Sequence, residues 1–532
     1  MDRRDLLKSA VAAPAIASAL AFGEEAVGKK KRKNKKKKAK KPNVVLFITD
    51  QERPAMHFPQ GWEQRHLPNL TRLKKRGVSF DNAFCSASMC SPSRASLFTG
   101  YFPAQHGVTD TLSFEYEASE TQPVLPLDLP NMATVMEKAG YDVVYKGKWH
   151  LSKPAGWEEA GDPVDWTPKD LAKYDFARWD SPDAGANQDE AEMGAGNADN
   201  DGRFMNSEGA VNSGDEGVLQ FIASRRKVKR PFFLIVSLVN PHDVLAYPQR
   251  FDSGGFDDSF LQNTGIGLPP SESEDLAANG KPTAQQDLIP KLAAGLGPLL
   301  TERRKLDYLN FYGNLMKLVD GYLGDVLRAL KDAGKTQNTL IVRTSDHGEM
   351  GLSHGGMRQK MFNAYEETLR VPMVFSWPKG LPKGKRSQAL VSHVDLLPTL
   401  ATLLDVPKPA RQRWQGRDYA DVVRNPGRSG PNPYVGFTFD DIYCGQGEPL
   451  VDGANRLVAI REARWKLVRY RDATDSAPDE WEMYDLANDP DEVVNIAGPA
   501  HTMTDAEQAE FGRLKKALNQ FEKNRLKPLR AA

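Results

Sequence analysis

The sequence predicts an α/β fold in which helices flank a mixed, mainly parallel sheet, and three patterns support this expectation. Four short apolar runs each end abruptly in a polar cluster, as buried parallel strands do where they reach a ligand site. Apolar residues recur at helical spacing from Leu306 to Leu330, Gly334 ends the stretch, and a strand-like run follows. After about Pro431, alternating runs predict a smaller C-terminal antiparallel sheet followed by a helix.

The four apolar runs are expected to lie side by side, with their polar ends at one edge of the sheet. Parallel strands share the edge that their carboxyl ends form, and ligands of open α/β sheets bind beyond that edge. The polar residues that follow the runs therefore predict one composite site. The runs and the residues that follow them are Val44–Thr49 with Asp50 and Gln51, Asp142–Tyr145 with Lys148 and His150, Pro231–Val239 with Asn240, His242 and Asp243, and Thr339–Thr344 with Asp346 and His347.

The C-terminal region supplies the predicted antiparallel sheet and the last helix. Leu457–Arg461 and Trp465–Tyr470 are typical of strands joined by a charged turn. A capping box at Thr504–Glu507 predicts the start of the helix. Its expected buried residues are Phe511, Leu514, Leu518 and Phe521.

Two stretches, residues 156–217 and 253–299, are poor in core residues and rich in Gly, Asp, Asn, Ser and Pro. We interpret them as insertions beside the site, because long loops of this composition are usually lids or partly disordered segments. They are expected to shape substrate choice. The predicted organisation is a catalytic domain over residues 42–430, which carries both insertions, and a C-terminal subdomain over residues 431–532.

The 532-residue chain is long enough to bury a large core, and its charge distribution excludes one class of partner. The net charge of +1 includes +11 from residues 29–41 and −1 from residues 1–28, which leaves −9 for the rest. An acidic body does not suit a nucleic-acid-binding protein. The Lys-rich residues 29–41 repel one another, so we expect a solvated, disordered tether there.

The N-terminus resembles a twin-arginine export signal over residues 1–28. Arg3 and Arg4 precede an apolar stretch, Ala10–Phe22, which contains a small-residue cleavage motif at Ala19-Leu20-Ala21. The apolar stretch is too short to span a bilayer of about 30 Å, so no stable membrane insertion is expected. The predicted location is the periplasm, the cell envelope or the extracellular space.

The segment that carries the chemistry is Cys90-Ser91-Pro92-Ser93-Arg94-Ala95-Ser96-Leu97-Phe98-Thr99-Gly100. It resembles the signature of the sulfatases, which have an alkaline-phosphatase-like fold. The resemblance implies that a formylglycine-generating enzyme converts Cys90 to formylglycine. Pro92 suits the first turn of a helix, and free backbone N–H groups at such a turn favour an anion.

The resemblance also implies one divalent metal, bound by Asp50, Gln51, Cys90, Asp346 and His347. The Asp-Gln and Asp-His pairs depart from the commonest sulfatase pattern and are similar to the choline sulfatase and phosphonate monoester hydrolase branches. The family favours Ca²⁺. Two carboxylates and an imidazole make a softer, less negative set of ligands than three carboxylates, which makes Mn²⁺ the alternative ion.

Further roles follow from the resemblance. Lys148 is expected to hold the sulfate, and His150 to take a proton from the formylglycine. Arg94, four residues after Cys90, orients that residue. His242 and Lys360 contact the sulfate near the leaving oxygen, with His242 as the general acid. The expected catalytic residues are Cys90, Arg94, Lys148, His150, His242 and Lys360, and the substrate-binding residues are Lys148, His242, Lys360, Asn240 and Asp243.

The expected activity is hydrolysis of a sulfate ester, with a small molecule or a carbohydrate as the alcohol part. Aryl, choline-like and carbohydrate sulfates all remain open, as does the oligomeric state. One alternative is a phosphonate monoester or phosphodiester hydrolase that uses the same site, and another is a non-catalytic glycan-binding module. The three cysteines form no disulfide framework, although Cys85 and Cys444 could pair.

Overall fold

The computed structural model describes residues 41–113, 122–156, 165–185, 189–206, 216–408, 411, 413–472 and 474–529. From Lys41 onward the described chain forms one compact unit. The predicted export signal and, apart from Lys41, the predicted tether lie outside the described residues. Among the described residues, no helix combines the length and the apolar character that a membrane span requires.

The described chain alternates strands and helices, as the sequence predicts. The strands are β1 Asn43–Asp50, β2 Val78–Phe80, β3 Ala83–Phe84, β4 Asp142–Gly147, β5 Phe232–Pro241, β6 Thr339–Ser345, β7 Met373–Ser376, β8 Lys385–Ser387, β9 Val391–Ser392, β10 Tyr434–Phe439, β11 Arg456–Glu462, β12 Trp465–Arg471 and β13 Glu480–Asp485. The helices are α1 Trp62–His66, α2 Pro68–Lys75, α3 Cys90–Thr99, α4 Pro103–His106, α5 Met132–Lys138, α6 Pro168–Ala172, α7 Asn200–Asn206, α8 Val218–Ser224, α9 Thr283–Leu296, α10 Glu302–Asp332, α11 Ser353–Gly356, α12 Glu366–Leu369, α13 Leu396–Leu403, α14 Ala420–Arg424 and α15 Asp505–Arg525.

The central sheet has seven strands in the order β4-β5-β1-β6-β7-β2-β8. Strands β4, β5, β1 and β6 run parallel, while β7 is antiparallel to both of its neighbours. All four predicted runs are therefore adjacent parallel strands. Thr49 pairs with Ser345 across β1 and β6, so Asp50 and Asp346, the next residue of each chain segment, come side by side. The mixed, mainly parallel sheet is confirmed.

Both faces of the central sheet are covered, because alternate residues of a strand point to opposite faces. Leu46 and Ile48 of β1 join the core on one face, and Val45 and Phe47 join the core on the other face. Helix α10 covers the second face and ends two residues before Gly334, which has a φ of 69°. Burial on both faces explains why β1 and β5 have runs of consecutive apolar residues rather than alternating ones.

The C-terminal sheet is antiparallel, with the order β10-β11-β12-β13, and this prediction is also confirmed. Helix α15 packs on it and begins at the predicted capping box, where Thr504 Oγ1 accepts a hydrogen bond from the Glu507 N–H. Leu514, Leu518 and Phe521 are buried, but Phe511 is only partly buried. The burial predicted for Phe511 was wrong, because that residue lies near the rim, where its ring meets Trp481.

The second predicted insertion, residues 253–299, is more ordered than a loop beside the site. It contains α9, whose Leu288 and Leu292 join the main core. Lys281 Nζ donates hydrogen bonds to the Tyr484 hydroxyl and the Glu492 carbonyl oxygen, at 2.9 and 2.5 Å. These contacts fix the insertion to the C-terminal sheet. The expected poverty in core residues was therefore wrong for this part of the stretch.

Candidate active site

The carboxyl end of the parallel sheet brings four metal-ligating side chains together. Asp50 ends β1, Asp346 and His347 directly follow β6, and Cys90 begins α3. One donor atom from each lies within 4.8 Å of the others, and all four residues are buried. The sheet register produces this convergence, because it aligns the ends of β1 and β6.

Cys90 is held at the first position of α3, pointing into this group. Its Sγ lies 3.3 Å from His347 Nε2 and 3.7 Å from Asp50 Oδ1. The Ser93 hydroxyl donates a 2.5 Å hydrogen bond to the Asp346 carbonyl oxygen, which fixes the first turn of α3 against the end of β6. The cap residue Met89 makes no side-chain hydrogen bond, so the first N–H groups of α3 have no side-chain acceptor from the cap residue.

The guanidinium of Arg94 lies against the carboxylates of both Asp50 and Asp346. Its Nη2 donates to Asp50 Oδ2 at 3.0 Å, and its Nε lies 3.0 Å from Asp346 Oδ2. The remaining nitrogen, Nη1, donates to the Lys148 carbonyl oxygen and the Ser237 hydroxyl. The guanidinium thus positions Asp50, Lys148 and Ser237 and lies against Asp346. The role of orienting residue 90 expected for Arg94 stays a prediction.

Lys148 projects its ammonium into the same group. Its Nζ lies 2.6 Å from Asp50 Oδ2, at ion-pair distance but without hydrogen-bond alignment. A Cβ at Gly185 would come within 2.8 Å of this Nζ, so the insertion passes against the lysine with no room for a side chain. The ammonium is enclosed by protein while part of its donor capacity stays available for an anion.

Burial and neighbouring charges shift the pKa values of the acidic groups at this site. Burial raises the pKa of Asp50, but Lys148, His242 and Arg94 together hold it well below its usual range. Burial and the neighbouring Asp50 raise the pKa of Asp346 to about 6. Burial also opposes ionisation of Cys90, yet Lys360, Lys148 and His347 hold the pKa of its thiol well below the usual value.

The two other predicted histidines lie at the same site. Burial first, and then the charge of Lys148, lower the pKa of His242 to about 4, so its imidazole is neutral in the substrate-free protein at neutral pH. His150 Nε2 donates to the Leu112 carbonyl oxygen at 2.7 Å. A carbonyl only accepts, so Nε2 carries a proton and Nδ1 is the ring nitrogen that remains. His150 lies beside Cys90, where it helps to lower the pKa of the thiol.

Gln51 and Lys360 are joined directly. The Lys360 Nζ donates to Gln51 Oε1 at 2.7 Å and to Gln359 Oε1 at 3.1 Å. The charge of Lys360 also acts on the Cys90 thiol, so all predicted cations of the site lie close enough to influence residue 90.

Asn240 lies at the end of β5 and Asp243 just after it, and the hydrogen bonds described for both are with other residues of the chain. Asp243 accepts hydrogen bonds from the Gly194 and Ala195 N–H groups, and the Asn240 N–H donates to Asp201 Oδ2. These bonds fix the described part of the first insertion to the end of the strand. The substrate-binding role predicted for Asn240 and Asp243 stays a prediction.

Two buried carboxylates that support the site were missed from the sequence. Asp183 accepts hydrogen bonds from the Trp149 and His150 N–H groups, both at 2.7 Å, and so holds the segment that carries Lys148. Glu349 accepts a 2.5 Å hydrogen bond from Gln51 Nε2. Its closeness to Asp346 and His347 in sequence could have drawn attention to Glu349, whereas Asp183 lies in a stretch with no pattern.

The geometry fits a divalent cation and an anionic substrate. Carboxylate oxygens, an imidazole nitrogen and the side chain of residue 90 are suitable donors for such an ion. Surrounding cations suit the charge of an ester anion. Cys85 and Cys444, in contrast, are both buried and free, and their Sγ atoms donate to the Thr368 and Asp441 carbonyl oxygens, so the considered disulfide does not form.

Buried side chains that could hold a metal ion, ringed by cations, are suited to a hydrolase of anionic esters on an alkaline-phosphatase-like fold. The family model described as Sulfatase matches residues 42–406, and a model described as N-sulphoglucosamine sulphohydrolase, C-terminal, matches residues 354–524. The chain therefore belongs to the sulfatase family and is a sulfuric ester hydrolase.

Similar proteins agree with this assignment. An N-acetylglucosamine-6-O-sulfatase of Bacteroides thetaiotaomicron is 25% identical and aligns with 91% of this chain and 86% of its own length. A choline-sulfatase of Rhizobium meliloti is 27% identical, with 86% and 82% covered. A solved 2-O GAG sulfatase superposes with a TM-score of 0.64 at 22% identity, with 92% of this chain and 93% of that chain covered. The phosphonate monoester hydrolase of Agrobacterium radiobacter superposes with a TM-score of 0.63 at 23% identity, with 91% and 96% covered. At these identities the two solved structures show a common fold.

Proposed function

We propose that this sulfatase hydrolyses a carbohydrate sulfate ester with a formylglycine formed from Cys90 and one divalent metal. The observation that carries the proposal is the position of Cys90 at the start of α3, with its side chain among Asp50, Asp346 and His347. In this site the thiol of Cys90 marks where the formylglycine oxygens would lie. The bound groups would supply an activated hydroxyl and positive charge for the transferring sulfate.

Asp50, Gln51, residue 90, Asp346 and His347 would hold the metal, for which we propose Ca²⁺. Oxygen donors dominate this set, which suits a hard cation, while His347 keeps Mn²⁺ as the competing ion. Direct measurement of metal content after purification, followed by reconstitution of chelated protein with each ion, separates the two. Restoration by Mn²⁺ but not by Ca²⁺ would contradict the choice of Ca²⁺.

The chain's own residues divide the remaining work. Lys148 and Lys360 bind the sulfate oxygens, because their ammonium groups point into the site from two different elements. His150 Nδ1 accepts a proton from residue 90, since Nε2 is already held as a donor by the Leu112 carbonyl oxygen. His242 donates a proton to the leaving oxygen, and the negative charge of the bound sulfate would raise the low pKa of its imidazole.

A carbohydrate as the alcohol part is supported by the relatives. The N-acetylglucosamine-6-O-sulfatase aligns over most of this chain, and one structural neighbour was solved in complex with its substrate D-glucosamine-2-N,6-O-disulfate. The test compares hydrolysis of N-acetylglucosamine 6-sulfate, other sulfated sugars, choline sulfate and an aryl sulfate. Higher kcat/KM for choline sulfate than for every sugar sulfate would contradict a carbohydrate substrate.

The modification of Cys90 has its own test. Mass spectrometry of the peptide that contains residue 90, from protein produced together with a formylglycine-generating enzyme, should show replacement of the thiol by an aldehyde. Protein produced without that enzyme is the control. An active preparation whose residue 90 is entirely cysteine would contradict the proposal.

A second candidate is hydrolysis of phosphonate monoesters at the same site. Gln51 and His347 favour it, because these residue types are similar to the phosphonate monoester hydrolase branch, and one such enzyme shares the fold. Rates on matched aryl sulfate and aryl phosphonate esters decide between the two. A preference for the phosphonate ester would replace the sulfate ester as the main substrate.

Export by the twin-arginine route is also proposed, from Arg3, Arg4 and the apolar stretch after them. Replacement of both arginines by lysine should retain the protein in the cytoplasm, as measured by cell fractionation. A variant with Lys8→Arg, which preserves the pair, is the control. Unchanged export of the double-lysine variant would contradict this route.

A further inference from the structure

Glu349 is a buried carboxylate to which the mechanism above assigns no task. Its Oε1 accepts three hydrogen bonds, from the Tyr308 hydroxyl at 2.6 Å and from the Gly351 and Gln359 N–H groups at 3.1 and 3.0 Å. Its Oε2 faces Gln51 and accepts a hydrogen bond from Nε2 at 2.5 Å. One oxygen thus anchors the carboxylate, and the other oxygen meets the side chain that follows Asp50.

The amide of Gln51 lies between two groups of opposite hydrogen-bonding character. A carboxylate only accepts hydrogen bonds, and an ammonium only donates them. Because Glu349 lies at one end of the amide and Lys360 at the other, only one of the two amide orientations satisfies both neighbours. Nε2 must face Glu349 and Oε1 must face Lys360.

The backbone of Gln51 is fixed as well, so the amide has little other freedom. Its N–H donates to Asp346 Oδ1 at 3.0 Å, and its carbonyl oxygen accepts from the Tyr312 hydroxyl at 2.8 Å. Its φ of 65° is unusual for a residue other than glycine, and these bonds hold it there. The remaining variable is which end of the amide faces the site.

We propose that Glu349 is a positioning residue that orients the Gln51 amide with its oxygen toward the metal site. Hard divalent cations bind amide oxygen and not amide nitrogen, so a reversed amide would present the wrong atom. This inference rests on the proposed function, because it requires a divalent ion at the Asp50, Cys90, Asp346 and His347 group.

The contact also makes positions 51 and 349 a matched pair. A carboxylate at position 51 would face Glu349 at hydrogen-bond distance, and the two side chains would conflict because neither could donate a hydrogen bond to the other. Exchange of the two residue types should remove the conflict, which supplies a direct test.

Glu349→Gln isolates the effect on the amide. The new amide oxygen can keep the three hydrogen bonds now made to Oε1, while its NH₂ group faces the NH₂ of Gln51. The Gln51 amide must then reverse to make a hydrogen bond, and its oxygen turns away from Lys360. We expect the affinity for Ca²⁺ or Mn²⁺ alone, measured by calorimetry on the full chain, to fall by about 10-fold to 100-fold.

The exchange variant and one control complete the experiment. Gln51→Glu combined with Glu349→Gln restores an oxygen toward both Lys360 and position 349, and most of the metal affinity should return. Tyr308→Phe removes one of the three hydrogen bonds to Oε1, the oxygen that does not face Gln51, and should lower metal affinity much less than Glu349→Gln does. Melting temperatures of the metal-free variants show whether a loss of metal affinity comes from lower stability of the fold or from the orientation of the Gln51 amide.

Three outcomes would overturn the inference. The first is wild-type metal affinity in Glu349→Gln, and the second is an exchange variant that binds no better than this single variant. The third is failure of Glu349→Gln to fold without metal, if the exchange does not repair that failure. Absence of metal binding by the wild type would instead reject the proposed metal site, and the inference would fall with it.

Discussion

Two groups of buried charges in this protein differ in what their charged side chains surround. At the candidate active site, the carboxylates of Asp50 and Asp346 face the cations of Arg94, Lys148 and Lys360 around the side chain of residue 90. The second group, which we call the ion cluster, connects α12 to the C-terminal sheet. It consists of Glu366, Arg461, Lys466 and Glu492.

The ion cluster has two carboxylates and two cations in direct contact. Lys466 Nζ lies 3.0 Å from Glu366 and 2.6 Å from Glu492, and Arg461 Nη2 lies 3.1 Å from Glu366. Burial raises the pKa of Glu366, but Lys466, Arg461 and Arg370 hold it well below its usual range. Burial raises the pKa of Glu492 to about 7, although Lys466 opposes this shift. The contacts of the four residues act as a cross-link between α12 and the C-terminal sheet.

At the active site the charges also contact one another, because Arg94 lies against both Asp50 and Asp346 and Lys148 lies against Asp50. They differ from the ion cluster in surrounding a shared side chain, residue 90, whose thiol pKa is held well below its usual value by Lys360, Lys148 and His347. Burial of charge therefore does not by itself indicate function. What distinguishes the two groups is that the active-site charges converge on a reactive side chain.

Cys90→Ala should have the largest effect, because it removes the reacting side chain while leaving the fold intact. We expect kcat/KM for sulfate esters to fall by at least about 10⁴-fold. Cys85→Ala is the matched control, since Cys85 is equally buried but its Sγ donates to the Thr368 carbonyl oxygen and does not belong to the group of candidate metal donors. Comparable losses of kcat/KM in both variants would contradict the assignment of Cys90 as the reacting cysteine.

His242→Asn should reduce kcat/KM for a sugar sulfate by about 10²-fold to 10⁴-fold, the range for loss of a general acid. An aryl sulfate with a good leaving group needs little protonation and should lose much less. Paired kinetics on the two substrates measure the difference. Equal losses would show that His242 binds or positions the sulfate and does not protonate the leaving oxygen.

Lys466→Met should destabilise the protein without affecting catalysis by the folded fraction. It leaves Glu492 buried without its cation, a change that costs about 3–5 kcal/mol. Denaturant unfolding measures this loss. Arg513→Met is the control, because the Arg513 side chain is 48% exposed and its ion pairs with Glu462 and Glu510 contribute at most about 1 kcal/mol. A reduced kcat per folded Lys466→Met molecule would contradict this prediction, because it would show that the ion cluster also affects catalysis.

Asp201 is a buried carboxylate without a cation partner among the described residues, and it gives a prediction about the pH dependence of stability. Burial raises its pKa to about 8, although the Val239 and Asn240 N–H groups donate to it. The folded state therefore binds a proton that the unfolded state has released, and stability falls as pH rises. We expect a loss of about 1 kcal/mol between pH 7 and 8, and none of this loss in Asp201→Asn. Parallel pH profiles would contradict the raised pKa.

The parts of the site that the sequence could predict depend on local rules. Asp50, His242 and Asp346 follow apolar runs, and the shared edge of a parallel sheet explains why such residues meet. Arg94 follows Cys90 by one helical turn, which places both on one side of α3. The α/β architecture was predictable for the same reason, since strand and helix periods are local.

The parts that escaped prediction depend on contacts between distant residues. Glu349 acquires its place from Gln51, which lies 298 residues away in the sequence. Lys466 lies 102 residues from the Ala364 carbonyl oxygen that it contacts in the ion cluster. The order of residues 253–299 arises from Lys281 and its partners in the C-terminal sheet. No periodic pattern records such pairings.

The burial of Cys90, which is 2% exposed, sets a condition on the proposed maturation. In the folded protein all of α3 is enclosed, so an enzyme that converted Cys90 to formylglycine would find it covered by other residues. We therefore expect the proposed conversion to precede folding. The yield of working enzyme would then depend on how fast the chain folds relative to that conversion.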